Sequence, residues 1–275
     1  MRRRLLYAML VLWLIAAALV GFCYWTAVAD PVVRTVTVAL PGWPKGTAPI
    51  RAVLISDIHV GGPDMPPARL TRIVAQINAL RPDMVLIAGD LVTDKRLATR
   101  YYSMAEAIAP LAGLKPRLAT VAVLGNHDHW RNAAAARAAL KRARITLLDN
   151  DAARIGPLAV GGLDDPFIGR DDLDATLAAM RGLDGPRILL SHSPDPFARL
   201  PGDVALMLAG HTHCGQISPP LIGPLSTMSD YGRRYACGIV REKGRTLVVT
   251  AGLGTSGIPL RLGAVPDLWL VEIGG

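Results

Sequence analysis

Five short apolar runs, each stopped abruptly by polar residues, dominate the pattern of this chain. They are AVLI before Ser56-Asp57, MVLIA before Gly89-Asp90, TVAVL before Gly125-Asn126, RILL before Ser191-His192 and VALMLA before Gly210-His211. Runs so short and so uniformly apolar predict strands buried on both faces. Between several of them the apolar spacing becomes helical. Leu70, Ile73, Val74, Ile77 and Leu80 share one helical face. Residues 132–142 predict an Ala-rich helix, and residues 172–181 bring Leu173, Leu177 and Met180 together. Strands alternating with helices predict an α/β architecture. Residues 32–40 alternate around Val36, Val38 and Leu40, as an edge or hairpin strand does. Strands at 158–162, 187–190, 204–209, 246–250 and 267–273 crowd the C-terminal half and predict a second sheet.

The N-terminus follows a different pattern. Residues 5–28 are apolar without a single charge. A bilayer-spanning helix needs about 20 such residues, whereas the core of a cleavable signal has roughly 7–15. Arg2, Arg3 and Arg4 precede the run, and Tyr24 and Trp25 lie near its far end. The positive-inside rule then predicts a single-pass inner-membrane protein with a cytoplasmic N-terminus and its body on the outer, periplasmic side. A competing reading is an export signal, because Ala27-Val28-Ala29 resembles a cleavage site and the three arginines a loose twin-arginine motif. The expected organisation is an Arg cluster and anchor (or export signal) over 1–29, a linker and edge strand over 30–49, and one domain over 50–275.

Composition narrows the function classes. Apolar residues make up 51% of the 275, which excludes a disordered chain. The net charge is +8, but beyond residue 29 the count is 27 basic against 22 acidic residues. No basic stripe or aromatic stacking series appears, so no nucleic-acid partner is expected. Three cysteines are too few for a disulfide scaffold. Cys214 and Cys237 can pair in an oxidising compartment, or remain two buried thiols.

The residues that end the apolar runs carry the chemistry. They are Asp57, His59, Asp90, Asn126, His127, Asp128, His192, His211 and His213. Five of the six histidines are among them, and the sixth, His129, follows two residues after His127. Ligands of α/β sheets gather beyond the carboxyl ends of strands, where distant segments converge. Imidazole, carboxylate and amide oxygen together suit Mn, Fe, Zn or Co. Seven such groups exceed what one ion needs while staying open to substrate, and they fit two divalent ions. A pair of ions roughly 3.5–4 Å apart is the clamp used in phosphoryl transfer, activating a shared water as hydroxide.

Asp57-Ile58-His59, Gly89-Asp90, Gly125-Asn126-His127-Asp128, Ser191-His192 and Gly210-His211-Thr212-His213 together resemble the calcineurin-like metallophosphoesterase superfamily, in its block order, over residues 50 to about 273. The resemblance implies a β-sandwich of two mixed sheets flanked by helices. It implies that Asp57, His59 and His213 bind one metal, that Asn126, His192 and His211 bind the other, and that Asp90 bridges. It also implies that His127 faces the substrate and protonates the leaving oxygen, with Asp128 orienting it. HTHCGQISPP, YACG and AGLGTSGIPLRLG look like the membrane-associated branch, whose members include phosphodiesterases and UDP-2,3-diacylglucosamine hydrolase types. Many members have Gly where this chain has Cys214. The expected substrate is a phosphomonoester, phosphodiester or pyrophosphate, favoured to be lipid-borne, such as a lipid A precursor or a phospholipid. The alternatives are a metal-holding module without catalysis and a nuclease of the same fold.

Other polar residues have plainer readings. Arg261, in the Gly-rich segment 252–263, and His129 are expected to contact substrate. Asp94 is expected to cap a helix or support a site residue. Asp164 and Asp165 are expected in a turn.

Overall fold

The computed structural model describes residues 1–275 except Arg96. Helix α1 (Arg2–Val28) is followed by strands β1 (Val32–Ala39) and β2 (Ile50–Ile55), helix α2 (Pro67–Ala79), β3 (Met84–Ala88) and α3 (Met104–Ile108). Next come β4 (Ala119–Val123), α4 (Asn126–Arg142), β5 (Thr146–Leu147), β6 (Asp151–Ile155) and β7 (Leu158–Leu163). Helix α5 (Leu173–Arg181), β8 (Arg187–Ser191), β9 (Val204–Ala209), β10 (Gly238–Glu242), β11 (Arg245–Val249) and β12 (Asp267–Gly274) complete the chain.

Two six-stranded sheets form, in the orders β1-β12-β2-β3-β4-β5 and β10-β11-β9-β8-β7-β6. Both are mixed: β2, β3, β4 and β5 run parallel, as do β7, β8, β9 and β11, while β12 is antiparallel to β2 and parallel to β1. The last strand therefore joins the first sheet and not the second. Alternation of side chains explains why the strands read as continuous apolar runs. Ala52 and Leu54 of β2, with Leu86 of β3, face Leu190, Leu208 and Val248 of the opposite sheet. Val53, Ile55, Val85 and Ile87 point the other way, onto Leu70, Ile73, Val74 and Ile77 of α2 and Leu140 of α4. Leu189, Met207 and Val249 pack outward against Leu177 and Met180 of α5. Leu86 is fully buried between the sheets. Leu86→Ala is expected to cost about 2–5 kcal/mol of unfolding free energy, read by chemical denaturation.

Helix α1 has 27 residues and is long and apolar enough to cross a membrane. At 1.5 Å per residue it extends about 40 Å, more than a hydrocarbon core of about 30 Å. Most of it is exposed, but Cys23, Thr26 and Ala27 are buried against the body. Arg261 donates its backbone N–H to the Cys23 carbonyl at 3.0 Å, and Arg69 of α2 donates to the Ala29 carbonyl at 2.6 Å.

Cys214 and Cys237 form a disulfide, 23 residues apart. It ties the segment that carries His211 and His213 to the start of β10. Closing a loop of that size is worth about 3 kcal/mol in the chain-entropy account. Reduction, or Cys214→Ser with Cys237→Ser, is expected to lower the thermal midpoint measurably.

Candidate metal centre

The parallel strands deliver the polar residues to one end of the sandwich. Asp57 and His59 follow β2, Asp90 follows β3, and Asn126 and His127 open α4 directly after β4. His192 follows β8, and His211 and His213 follow β9. Five of these turn sharply: Asp57, His59, Asp90, His211 and His213 have φ between 47° and 70°. Left-handed backbone is uncommon for non-glycine residues, and such strain clusters at functional sites. Two glycines make room. A Cβ at Gly125 would overlap the Asp90 carboxylate, and one at Gly210 would overlap Ser56 Oγ and Asp57 Oδ2.

Two clusters of ligand atoms result. In the first, His59 Nε2 and His213 Nε2 lie 3.1 Å apart. Asp57 Oδ1 lies 3.4 Å from His213 Nε2 and 3.9 Å from His59 Nε2. In the second, His192 Nε2 lies 3.2 Å from Asn126 Oδ1 and 3.1 Å from His211 Nδ1. One oxygen belongs to both: Asp90 Oδ2 is 3.5 Å from His59 Nε2 and 3.2 Å from His192 Nε2. The residues fit divalent ions. Asp57 Oδ1 is buried with no hydrogen-bond partner among the described residues, although it points into a set of converging lone pairs. His192 Nδ1 donates to the Ala88 carbonyl at 2.7 Å, and His211 Nε2 to the Met228 carbonyl at 3.0 Å. Each bond fixes a tautomer whose free nitrogen faces the cluster.

Charge follows the same logic. Burial, and then the positive charge of His192, push the His211 imidazole down to about 4. Burial keeps His59 well below the usual imidazole range, and burial with Arg261 does the same for His213. Lowered imidazole values favour the neutral ring that metal ligation requires. Burial opposes charge on Asp90, but His192 and His127 pull its carboxylate well below the usual range. Burial also disfavours a charged His192, yet Asp90 and Asp57 together raise it well above the usual imidazole value. The two carboxylates call for positive charge at this point, which a bound dication would supply.

His127 sits beside the clusters, at the cleft. Its Nδ1 is paired with Asp94 Oδ1 at 2.5 Å, and its Nε2 is 3.9 Å from Asp90 Oδ2 and 3.5 Å from Ser256 Oγ. The hydrogen bond expected from Asp128 is therefore made by Asp94. Asp128 is fully buried and accepts instead from the backbone N–H of Leu91 at 2.8 Å and of Gly125 at 3.1 Å. Burial, and then the nearby charge of Asp90, raise its carboxyl to about 7.

Arg261, expected at the substrate, is not on the cleft lining. It is fully buried, and its Nη2 donates to the carbonyls of Ala251 at 2.7 Å and Gly254 at 2.6 Å. It thereby shapes the Gly-rich loop behind His213. His129 pairs with Asp164 at 2.7 Å, off the clusters. Asp165 is more than a turn residue: it is buried, one oxygen caps Phe167, and Oδ2 has no partner among the described residues. Burial raises its carboxyl, and its charge helps to raise His192.

A cleft of about 480 Å³ opens over Asp90, Asn126, His127, His211 and His213, a size suited to a small-molecule site. Trp130, Phe167, Ile217, Leu225 and Met228 form its apolar wall.

Residues 50–215 match the calcineurin-like phosphoesterase family. The chain belongs to that family. A transmembrane protein with metallophosphoesterase domain from Danio rerio is 33% identical, over 93% of this chain and 60% of its own. Phosphodiesterase YaeI of Escherichia coli (strain K12) is 30% identical, over 82% of this chain and 83% of its own. An uncharacterized metallophosphoesterase of Aquifex aeolicus (strain VF5) is 30% identical, over 88% of this chain and 92% of its own. The chain spans 60% and 57% of two vertebrate relatives' lengths. Overlapping groups of its His and Asp side chains, Asp57–His59–His213 and Asp57–Asp90–His192 among them, are placed to chelate divalent ions.

Proposed function

We propose that the chain is a membrane-tethered phosphoesterase with a two-metal centre, acting on a phosphoester presented at the bilayer surface. The observation that carries this reading is the single Asp90 oxygen between two ligand clusters. Asp57, His59 and His213 would hold one ion, Asn126, His192 and His211 the other, and Asp90 both. Bound there, the ions supply Lewis-acid activation of water and neutralise charge on the phosphoryl group. His127, held by Asp94, gives a proton to the leaving oxygen from Nε2. Asp128 fixes the turn after Gly125, so that Asn126 and His127 enter the cleft together.

The apolar cleft wall and α1 support a lipid-borne substrate, such as a phospholipid or a UDP-diacylglucosamine-like lipid. The name of the Escherichia coli relative supports phosphodiester cleavage. The three arginines before α1 and the Cys214–Cys237 disulfide support a cytoplasmic N-terminus with the body on the oxidising side. A panel of soluble aryl phosphoesters, nucleotides, and phospholipids and UDP-linked lipids in vesicles tests the proposal, with bound metal measured in parallel. Metal-dependent turnover is expected, highest on a lipid substrate. No turnover of any phosphoester with both ions bound would overturn the catalytic reading, and equal turnover of soluble and lipid substrates the membrane reading.

A further inference from the structure

Outside α1, the described residues include further exposed large apolar side chains, and Trp130, Phe167, Leu225 and Met228 among them line the cleft. Leu221, Ile222, Leu225 and Met228 lie between His213 and β10, and Ile258, also exposed, accepts at its carbonyl from Gln216 of the cleft lining. The segment 217–225 folds back on itself. Leu225 donates its backbone N–H to the Ile217 carbonyl at 3.2 Å, and Gly223 donates to the Pro219 carbonyl at 2.9 Å. This leaves Leu221 and Ile222 at the tip, with Leu221 fully exposed. Soluble surfaces rarely keep such a cluster in water, and clusters of this kind mark interaction sites.

The occupant follows from continuity with α1. Ser218 donates to the Leu262 carbonyl at 2.7 Å, Leu262 donates to the Gln216 carbonyl at 3.0 Å, and the neighbouring Arg261 donates to the Cys23 carbonyl at 3.0 Å. Three backbone hydrogen bonds thus connect the base of the apolar tip to the point where α1 meets the body. That point is also where the exposed run of α1 ends, so it marks the level at which the helix would leave the bilayer. The body adds a cation at the base: Arg233 is exposed and donates to the Pro224 carbonyl at 3.3 Å. Apolar side chains at a tip with a basic residue behind them suit an interface with anionic headgroups.

We infer that the 217–225 turn is a second membrane contact, placing Leu221 and Ile222 in the outer leaflet of the bilayer that α1 spans. The cleft then opens at the lipid surface, with Leu225 and Met228 leading from acyl chains to the metal clusters. This inference rests on the reading of α1 as a membrane anchor, and it extends the proposed lipid-borne substrate to a route of entry.

The test uses the full chain in phosphatidylcholine–phosphatidylglycerol vesicles. Cys23→Ser leaves only the disulfide-bonded cysteines, so a nitroxide can be attached at Ile222→Cys or, as a control, at Asp184→Cys on the opposite end of the sandwich. Relaxation of the label at 222 is expected to respond more to oxygen than to a water-soluble nickel chelate, and the label at 184 the reverse. Nickel dominating at 222 overturns the inference. A second arm uses Leu221→Asp with Ile222→Asp. Turnover of the best vesicle-borne phosphoester is expected to fall about tenfold, while turnover of a soluble aryl phosphodiester stays within about twofold. Equal loss on both substrates, or loss on neither, also overturns it. If the unmodified chain cleaves no phosphoester, the proposed function fails, and label depth alone decides the membrane contact.

Discussion

Asp90→Asn is expected to abolish turnover to within detection, a loss on the order of 10³-fold or more, and to bring bound metal below two ions per chain. Asn keeps the shape and the Oδ1 acceptor that holds the His127 backbone N–H at 2.9 Å. What it removes is the charge whose other oxygen stands between the two clusters. Losing several kcal/mol of charge stabilisation corresponds to that drop in rate. Elemental analysis and steady-state rates on the same preparation check it, with circular dichroism to show that the fold persists. Two ions bound at an unaltered rate would remove Asp90 from the bridge.

His127→Ala is expected to lower kcat by about 10²–10⁴-fold with both ions retained, the range for loss of a general acid. Burial works against charge on His127, but Asp90 and the hydrogen bond to Asp94 raise its imidazole above the usual value. An acid that must be protonated is lost as pH rises through its pKa, so activity falls on the alkaline side, later than for an ordinary histidine. Asp94→Asn withdraws one raising influence while leaving an acceptor for Nδ1. Its alkaline limb should move to lower pH, with a smaller loss in rate, on the order of tenfold. A pH–rate profile unchanged by Asp94→Asn would show that Asp94 does not set the protonation of His127. A substrate with a leaving group too acidic to need protonation should mask both effects.

The strand ends were legible because a strand covered on both faces leaves an unbroken apolar run, and its stop is sharp. Asp57, Asp90, Asn126, His192 and His211 all stand at such stops, so their convergence followed from parallel strands. Partnership was less legible. The family resemblance implies Asp128 as the partner of His127, but consecutive residues of a helix point to different sides. Asp94, from another loop, meets the ring instead. The expected helix over 132–142 starts six residues earlier, at Asn126, because its first turn is made of site residues and has no apolar stripe. The backbone breaks helical geometry at Asn132, where the Ala-rich part begins. Arg261 was misread for a different reason. A Gly-rich loop turned inward leaves its carbonyls without donors, and the guanidinium is spent on them. Nothing local told β12 which sheet to join; its pairing with β1 and β2 is a property of the whole topology.

The hydrogen bond from Arg261 to Cys23 joins α1 to the body that carries the metal clusters. A version cut before Pro31 would uncover the surface on which Ala27 is seated and release the loop that backs His213. Kinetic constants from such a fragment would describe a site with a loosened rear wall, and comparing them with the intact protein would measure what α1 contributes to the site.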